Sequence, residues 1–134
     1  MAGYSGTPLA KKLGLKPHTS IYLLNMPDTY LDWVSPLPEG LKLTTRLSNE
    51  VDFIHLFVKD QKTFKAEFVK SKEYLKKDGM MWISWPKKAS KVPTDLDENF
   101  IRDFGLKQKL VDVKVCAVDD VWSGLKFVYR VADR

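Results

Sequence analysis

The chain has 134 residues, 44% of them hydrophobic and 12% aromatic, with a formal net charge of +5 and a single cysteine. That length suits one domain burying its own core, and the aromatic content excludes a disordered chain. Lone Cys116 excludes an internal disulfide and a cysteine-based zinc site. No apolar run approaches the ~20 residues of a bilayer span, and Met1–Gly6 lacks the basic and apolar regions of a signal peptide. The expectation is one cytoplasmic domain over 1–134, with no membrane association, in which 1–19 form an N-terminal arm carrying a short helix.

In chain order, Thr7-Pro8-Leu9 opens that helix, with Thr7 as cap and Pro8 at the first helical position, and Gly14 closes it. Ser20–Asn25 is a short apolar run and reads as a buried strand. Pro27–Val34 reads as a second helix, stopped by the loop Ser35–Gly40. Leu41–Arg46 alternates as a half-buried strand, and Phe53–Val58 is apolar almost throughout, as a strand covered on both faces would be. Asp60 caps a predicted helix over 61–77 that turns Phe64, Phe68 and Leu75 inward and ends at Asp78-Gly79. Met80–Pro86 is another buried strand.

After a lysine-rich loop, Thr94-Asp95-Leu96-Asp97 has the form of a capping box, with Leu96, Phe100, Ile101 and Phe104 as one apolar stripe ended by Gly105. Val111, Val113, Val115 and Ala117 then alternate on one face. Leu125, Phe127, Tyr129 and Val131 follow beyond Asp119-Asp120, predicting a hairpin.

Strands alternating with helices imply right-handed crossovers and a mostly parallel sheet. The predicted fold is α/β, a mostly parallel sheet of about six strands with a C-terminal antiparallel hairpin. This resembles class I methyltransferases, and Tyr74–Ser84 is similar to their passage from a long helix through glycine into a late strand. The resemblance implies a three-layer, Rossmann-like arrangement with the strand order 2-1-3-4-6-5. Function does not follow from that resemblance. It implies a glycine-rich turn after the first strand, where the backbone closes on the cofactor, yet Leu24-Asn25-Met26-Pro27-Asp28 has no glycine. It also implies an acid ending the second strand, yet Thr45-Arg46-Leu47 has none before Glu50. No cofactor is therefore expected.

The motifs Ser5–Gly14, Trp85–Ser90 with Thr94-Asp95-Leu96, and Val111–Leu125 resemble a bacterial family of about this length, a domain of unknown function. That resemblance implies a bacterial, stand-alone, cytoplasmic protein and no particular activity.

Open α/β sheets bind ligands beyond the carboxyl ends of their parallel strands. The loops expected there are Asn25–Asp28, Trp85–Pro93 and Asp119–Gly124. The candidate site residues are Asn25, Asp28, Trp85, Lys87, Lys88, Ser90, Thr94, Asp119, Trp122 and Ser123. Trp85 and Trp122 would wall a pocket, and Lys87 and Lys88 beside a helix capped by Thr94 would attract an anion. The competing reading has the tryptophans packing the hairpin and the charges forming surface pairs.

No His, Cys or carboxylate cluster has metal-ligand spacing. His55, inside an apolar run, reads as a satisfied core residue, and Cys116 as a small buried hydrophobe. Ser84 and Ser90 have no histidine at a readable distance and lie in no nucleophile elbow.

Residues 59–91 carry ten basic and four acidic groups, while the flanking segments are close to neutral. Lys62, Lys65, Lys70 and Lys72 suit a solvated helix face. The expected function is a non-enzymatic, methyltransferase-like domain binding a small anionic ligand or a protein partner at the sheet edge. One alternative is an enzyme at the same edge, with Lys87 or Lys88 holding an anionic substrate and Asp119 as base. Another is weak nucleic-acid binding through 59–91, which ranks last because Phe64 and Phe68 lie on the buried stripe rather than among the surface lysines.

Overall fold

The structure is a computed structural model that describes residues 8–134. The cap assigned to Thr7 lies outside those residues.

Helices α1 (Leu9–Leu13), α2 (Tyr30–Trp33), α3 (Gln61–Lys72) and α4 (Glu98–Lys107) alternate with strands β1 (Ser20–Leu24), β2 (Lys42–Thr44), β3 (Val51–Phe57), β4 (Leu75–Pro86), β5 (Leu110–Ala117) and β6 (Trp122–Tyr129). The sheet order is β2-β1-β3-β4-β6-β5, as the sequence predicts. Strands β1 to β4 are parallel, and β6 runs antiparallel to both β4 and β5.

Side chains of successive strand residues leave the sheet on opposite faces, so each buried strand feeds two cores. One core gathers Ile54, Leu56, Met81, Ile83, Trp85, Leu125 and Phe127 against Phe64 and Phe68 of α3 and Ile101 of α4. There Phe68 meets Phe104 and Phe127 edge-on, with both centroid distances 5.5 Å. The other core gathers Ile21, Leu23, Phe53, Phe57 and Trp82 against Leu13 of α1 and Tyr30 of α2. Helix α1 ends at Gly14, whose φ of 87° lets its amide donate back to Ala10 and Lys11. The indole of Trp82 donates to the Leu13 carbonyl at 2.8 Å, fixing this helix to the sheet.

Five local expectations are corrected. Helix α2 is shorter than Pro27–Val34, because the Tyr30 amide bonds the Pro27 carbonyl in a turn before the helix. Helix α3 stops at Lys72 rather than 77. Leu75 is buried as the first residue of β4, paired with Val51, and Asp78-Gly79 lies in an irregular stretch of that strand. Gly79 is needed there for close approach, since a Cβ would come within 2.7 Å of the Asp52 carbonyl.

The cap of α4 is Asp97, which accepts from the Phe100 amide at 2.8 Å, and not Thr94, whose hydroxyl donates to the Lys59 carbonyl. Gly105 does not end α4. It sits within the helix with the Phe127 ring packed against its backbone. Finally, Val111, Val113, Val115 and Ala117 do not share a face. A register shift between Asp112 and Lys114 switches the alternation, which leaves Val113 and Val115 exposed and buries Leu110 and Cys116.

A Cβ on Gly105 would stand 2.1 Å from Cε1 of Phe127, a ring with no room to retreat in a filled core. Gly105→Ala is expected to lower stability by about 1–3 kcal/mol despite alanine's better helix propensity. Urea denaturation of the two proteins checks this.

Candidate functional site

The carboxyl ends of β1, β3 and β4 bring three chain segments to one edge, where the β5–β6 turn joins them. The β1 exit turns sharply at Asn25, whose φ of 55° is a left-handed conformation that Asn tolerates better than most residues. Asp28 follows, exposed.

The loop after β4 is stitched at several points. The Lys87 amide donates to the Val121 carbonyl at 2.9 Å, tying this loop to the β5–β6 turn. Ser90 donates its hydroxyl to the Lys87 carbonyl at 2.7 Å and accepts from the Val92 amide at 3.2 Å. Asp95 accepts from the Gln61 amide at 2.7 Å, and Thr94 reaches Lys59, so the loop is also fastened to the β3–α3 turn. One carboxylate oxygen of Asp119 accepts from both the Val121 and Trp122 amides, at 2.9 and 2.8 Å. It thereby holds the turn instead of standing free as a base.

These bonds decide the electrostatics of the edge. Asp95, Asp97 and Asp119 are all engaged by backbone amides. Lys87, Lys88 and Lys91 make no ion pair within 4 Å among the described residues. The edge therefore presents ammonium groups on a loop whose backbone is pinned.

The two tryptophans do not wall a common pocket. Trp85 pairs with Ser123 and is buried in the core under α3 and α4. Trp122 pairs with Pro86, one residue out of phase, and so leaves the sheet on the opposite face, meeting Phe57 edge-on at 5.0 Å. Asn25, Asp28, Lys87, Lys88, Ser90, Thr94 and Asp119 share the edge, while Trp85 and Trp122 lie beneath it on either side of the sheet.

His55 is the satisfied core residue that the sequence predicts, although its partners were not legible there. His55 of β3 shares a hydrogen bond with the Tyr30 hydroxyl through Nδ1 at 2.9 Å, and another with Ser84 Oγ through Nε2 at 2.7 Å. Phe57 stacks on its ring at 4.4 Å. Spacing in the chain does not reveal this pairing, because 29 residues separate His55 from Ser84. A serine against a histidine suggests a nucleophile, yet Tyr30, His55 and Ser84 are each 0–1% exposed, so no substrate reaches them. Both ring nitrogens are satisfied, and the array locks α2, β3 and β4 in register.

The edge lacks the features by which the fold resemblance implies a cofactor is held. Asn25 supplies the sharp turn, but Pro27 removes an amide that a glycine would offer. At the end of β2, Thr44 closes a local turn by accepting from the Arg46 amide and donating to the Arg46 carbonyl. The next acid, Glu50, lines a cavity of about 350 Å³ with Lys72, Lys77 and Tyr129, where β3 and β4 begin, far from their carboxyl ends. These residues do not fit the implied manner of holding S-adenosylmethionine.

No family model and no curated protein matches the sequence. Solved structures do match. Fibrillarin from Aeropyrum pernix, in complex with S-adenosyl-L-methionine, superposes with a TM-score of 0.63 at 13% identity over 94% of this chain and 70% of its own. The magnesium protoporphyrin IX methyltransferase of Synechocystis gives 0.60 at 8% over 91% and 74%. The ribosomal protein L11 methylase of Lactobacillus delbrueckii subsp. bulgaricus gives 0.57 at 9% over 91% and 75%.

The chain has a methyltransferase-like fold. At these identities the likeness is one of fold, and the expectation of a non-enzymatic binding domain does not stand beside it. The structures sharing this architecture include methyltransferases, some of them solved with S-adenosylmethionine bound. No helix among the described residues is long and apolar enough to cross a membrane.

Burial pushes the His55 imidazole down to about 3 from its ordinary value of 6.5. A histidine depressed in the folded state lets the unfolded chain bind more protons once the pH falls below about 6.5, so stability must fall with pH there. Between pH 6 and 5 the expected loss approaches about 1.4 kcal/mol per pH unit, one proton taken up on unfolding. Urea denaturation across that window, above the carboxylate range, reads the slope.

Proposed function

We propose that the chain is an enzyme acting at the carboxyl edge of its sheet, and that methyl transfer is its reaction class. The observation that carries this reading is the sheet itself. The order β2-β1-β3-β4-β6-β5, with one reversed strand, is the architecture for which methyltransferase structures are the structural neighbours.

The chain's own residues support a division of labour at this edge. Lys87 and Lys88 lie on a loop fastened to the β5–β6 turn and to the β3–α3 turn, so their ammonium groups hold an anionic substrate without the loop having to order first. Asn25 and Asp28 border the same space from β1. Asp119 serves by holding the turn that anchors Lys87, which makes it a positioning residue. The β1 turn and the β2 end lack the glycine turn and the acid by which the resemblance implies S-adenosylmethionine is held, so a methyl donor would have to be held by other contacts at this edge, and no chemical step is routed through it.

The test is transfer of a labelled methyl group from S-adenosylmethionine to cellular RNA, protein and small anionic metabolites in turn. Incorporation is expected into one fraction. It should fall by about tenfold or more in Lys87→Ala/Lys88→Ala, roughly the 1.4 kcal/mol of one lost charged contact. These lysines are exposed or half-exposed, so the melting temperature should stay unchanged. Absence of incorporation into every fraction, together with no thermal shift on adding S-adenosylmethionine, overturns the proposal.

A further inference from the structure

A second group of lysines stands on the face of the sheet that carries α1, away from the carboxyl edge. Lys114 of β5 and Lys126 of β6 are directly paired across strands, and Lys126 is in turn paired with Trp82 of β4. Like charges set opposite each other in an antiparallel pair repel.

The first helix brings more positive charge to the same place. The Lys114 ammonium donates to the Lys12 carbonyl at 2.9 Å, and Lys126 Nζ lies 3.8 Å from where a Cβ on Gly14 would stand, beyond the Met80 thioether that packs there. Lys16 follows two residues later and, with Lys114, adds to the burial that holds Lys126 below its ordinary range. Lys12 and Lys114 likewise lower the thiol of neighbouring Cys116 against the burial that raises it.

No carboxylate answers these charges. Among the described residues, Lys16, Lys114 and Lys126 form no ion pair. The chain has no Asp or Glu before Asp28. Asp112, near Lys114 in sequence, leaves the sheet on the other face and is held by Arg102 at 2.9 Å. Trp82 lies four residues before Pro86, placing the cluster about 13 Å back from the carboxyl edge.

A protein that needed these ammonium groups only to satisfy helix carbonyls would use one, since the C-terminus of a five-residue helix offers a weak field. We infer that Lys114 and Lys126, with Lys16 following α1 beside them, form a binding site for a phosphate-bearing anion on the face of the β5–β6 pair next to α1. A multivalent phosphate group meets several ammonium groups at once and relieves the cross-strand repulsion. Free phosphate compounds and nucleic-acid backbones both carry this chemistry, and the test separates them.

The full chain is titrated with inorganic pyrophosphate and, separately, with a short RNA hairpin, by calorimetry and by thermal shift against chloride of matched ionic strength. One or both should bind and raise the melting temperature. Lys126→Met, which keeps the apolar stem, should weaken that binding by about tenfold or more. Without ligand, Lys126→Met should melt above the parent protein at about 20 mM salt, with the gap closing at about 0.5 M as screening takes over.

Binding of pyrophosphate assigns a small phosphate compound. Binding of the hairpin alone, with affinity falling steeply in salt, assigns a nucleic-acid backbone. If Lys126→Met does not fold, Lys114→Met carries the binding readout. The inference is overturned if neither probe binds, if binding is the same in the folded variant, or if Lys126→Met melts lower at low salt.

Discussion

Burial of β3 and β4 on both faces is the constraint from which the remaining architecture follows. With the exception of Asp52, every residue of β3 is buried, and β4 is buried continuously from Met81 to Pro86. A strand without a solvent face must find apolar partners on two sides, and here α3 and α4 supply one side while α1 and α2 supply the other. The one polar side chain that β3 buries completely, His55, is tolerated because Tyr30 and Ser84 satisfy both of its nitrogens. The pH dependence of the fold and the register of its two central strands thus rest on the same three side chains.

The carboxyl edge draws its order from that core. The loops there are short and are bonded to one another through backbone and hydroxyl groups, notably Lys87 to Val121 and Thr94 to Lys59. Pinning the backbone engages Asp95, Asp97 and Asp119 as caps and turn acceptors, and none of them pairs with Lys87, Lys88 or Lys91. The same economy is absent around Lys114 and Lys126, where no acid is recruited at all. The two lysine groups differ in physical origin. One is a loop whose acids are occupied, and the other is a cross-strand pair whose acids were never present.

Most of the architecture was legible because it rests on local periodicity. Apolar runs at Ser20–Asn25, Phe53–Val58 and Met80–Pro86, separated by helical stripes, suffice for the strands themselves, while their order in the sheet came from the resemblance to methyltransferases and is the order found. The errors came where a residue's role is set by a distant neighbour. Gly79 and Gly105 look like helix terminators, but each is small because another group, the Asp52 carbonyl or the Phe127 ring, packs against it. Thr94 looks like a cap but bonds to Lys59, 35 residues away. The valines of β5 alternate cleanly in the sequence, yet one unpaired residue at the bulge reverses their faces.

The sequence by itself determined the layered α/β architecture, the reversed terminal strand, the loops that meet at the carboxyl edge and the lysines on them, because each depends on periodicity and short-range turn chemistry. Only the tertiary structure decided that Trp85 and Trp122 part to opposite faces, that Ser84 meets His55, and that Lys114 stands opposite Lys126. Those outcomes depend on register between strands far apart in the chain, and a shift of one residue in register moves a side chain through the sheet.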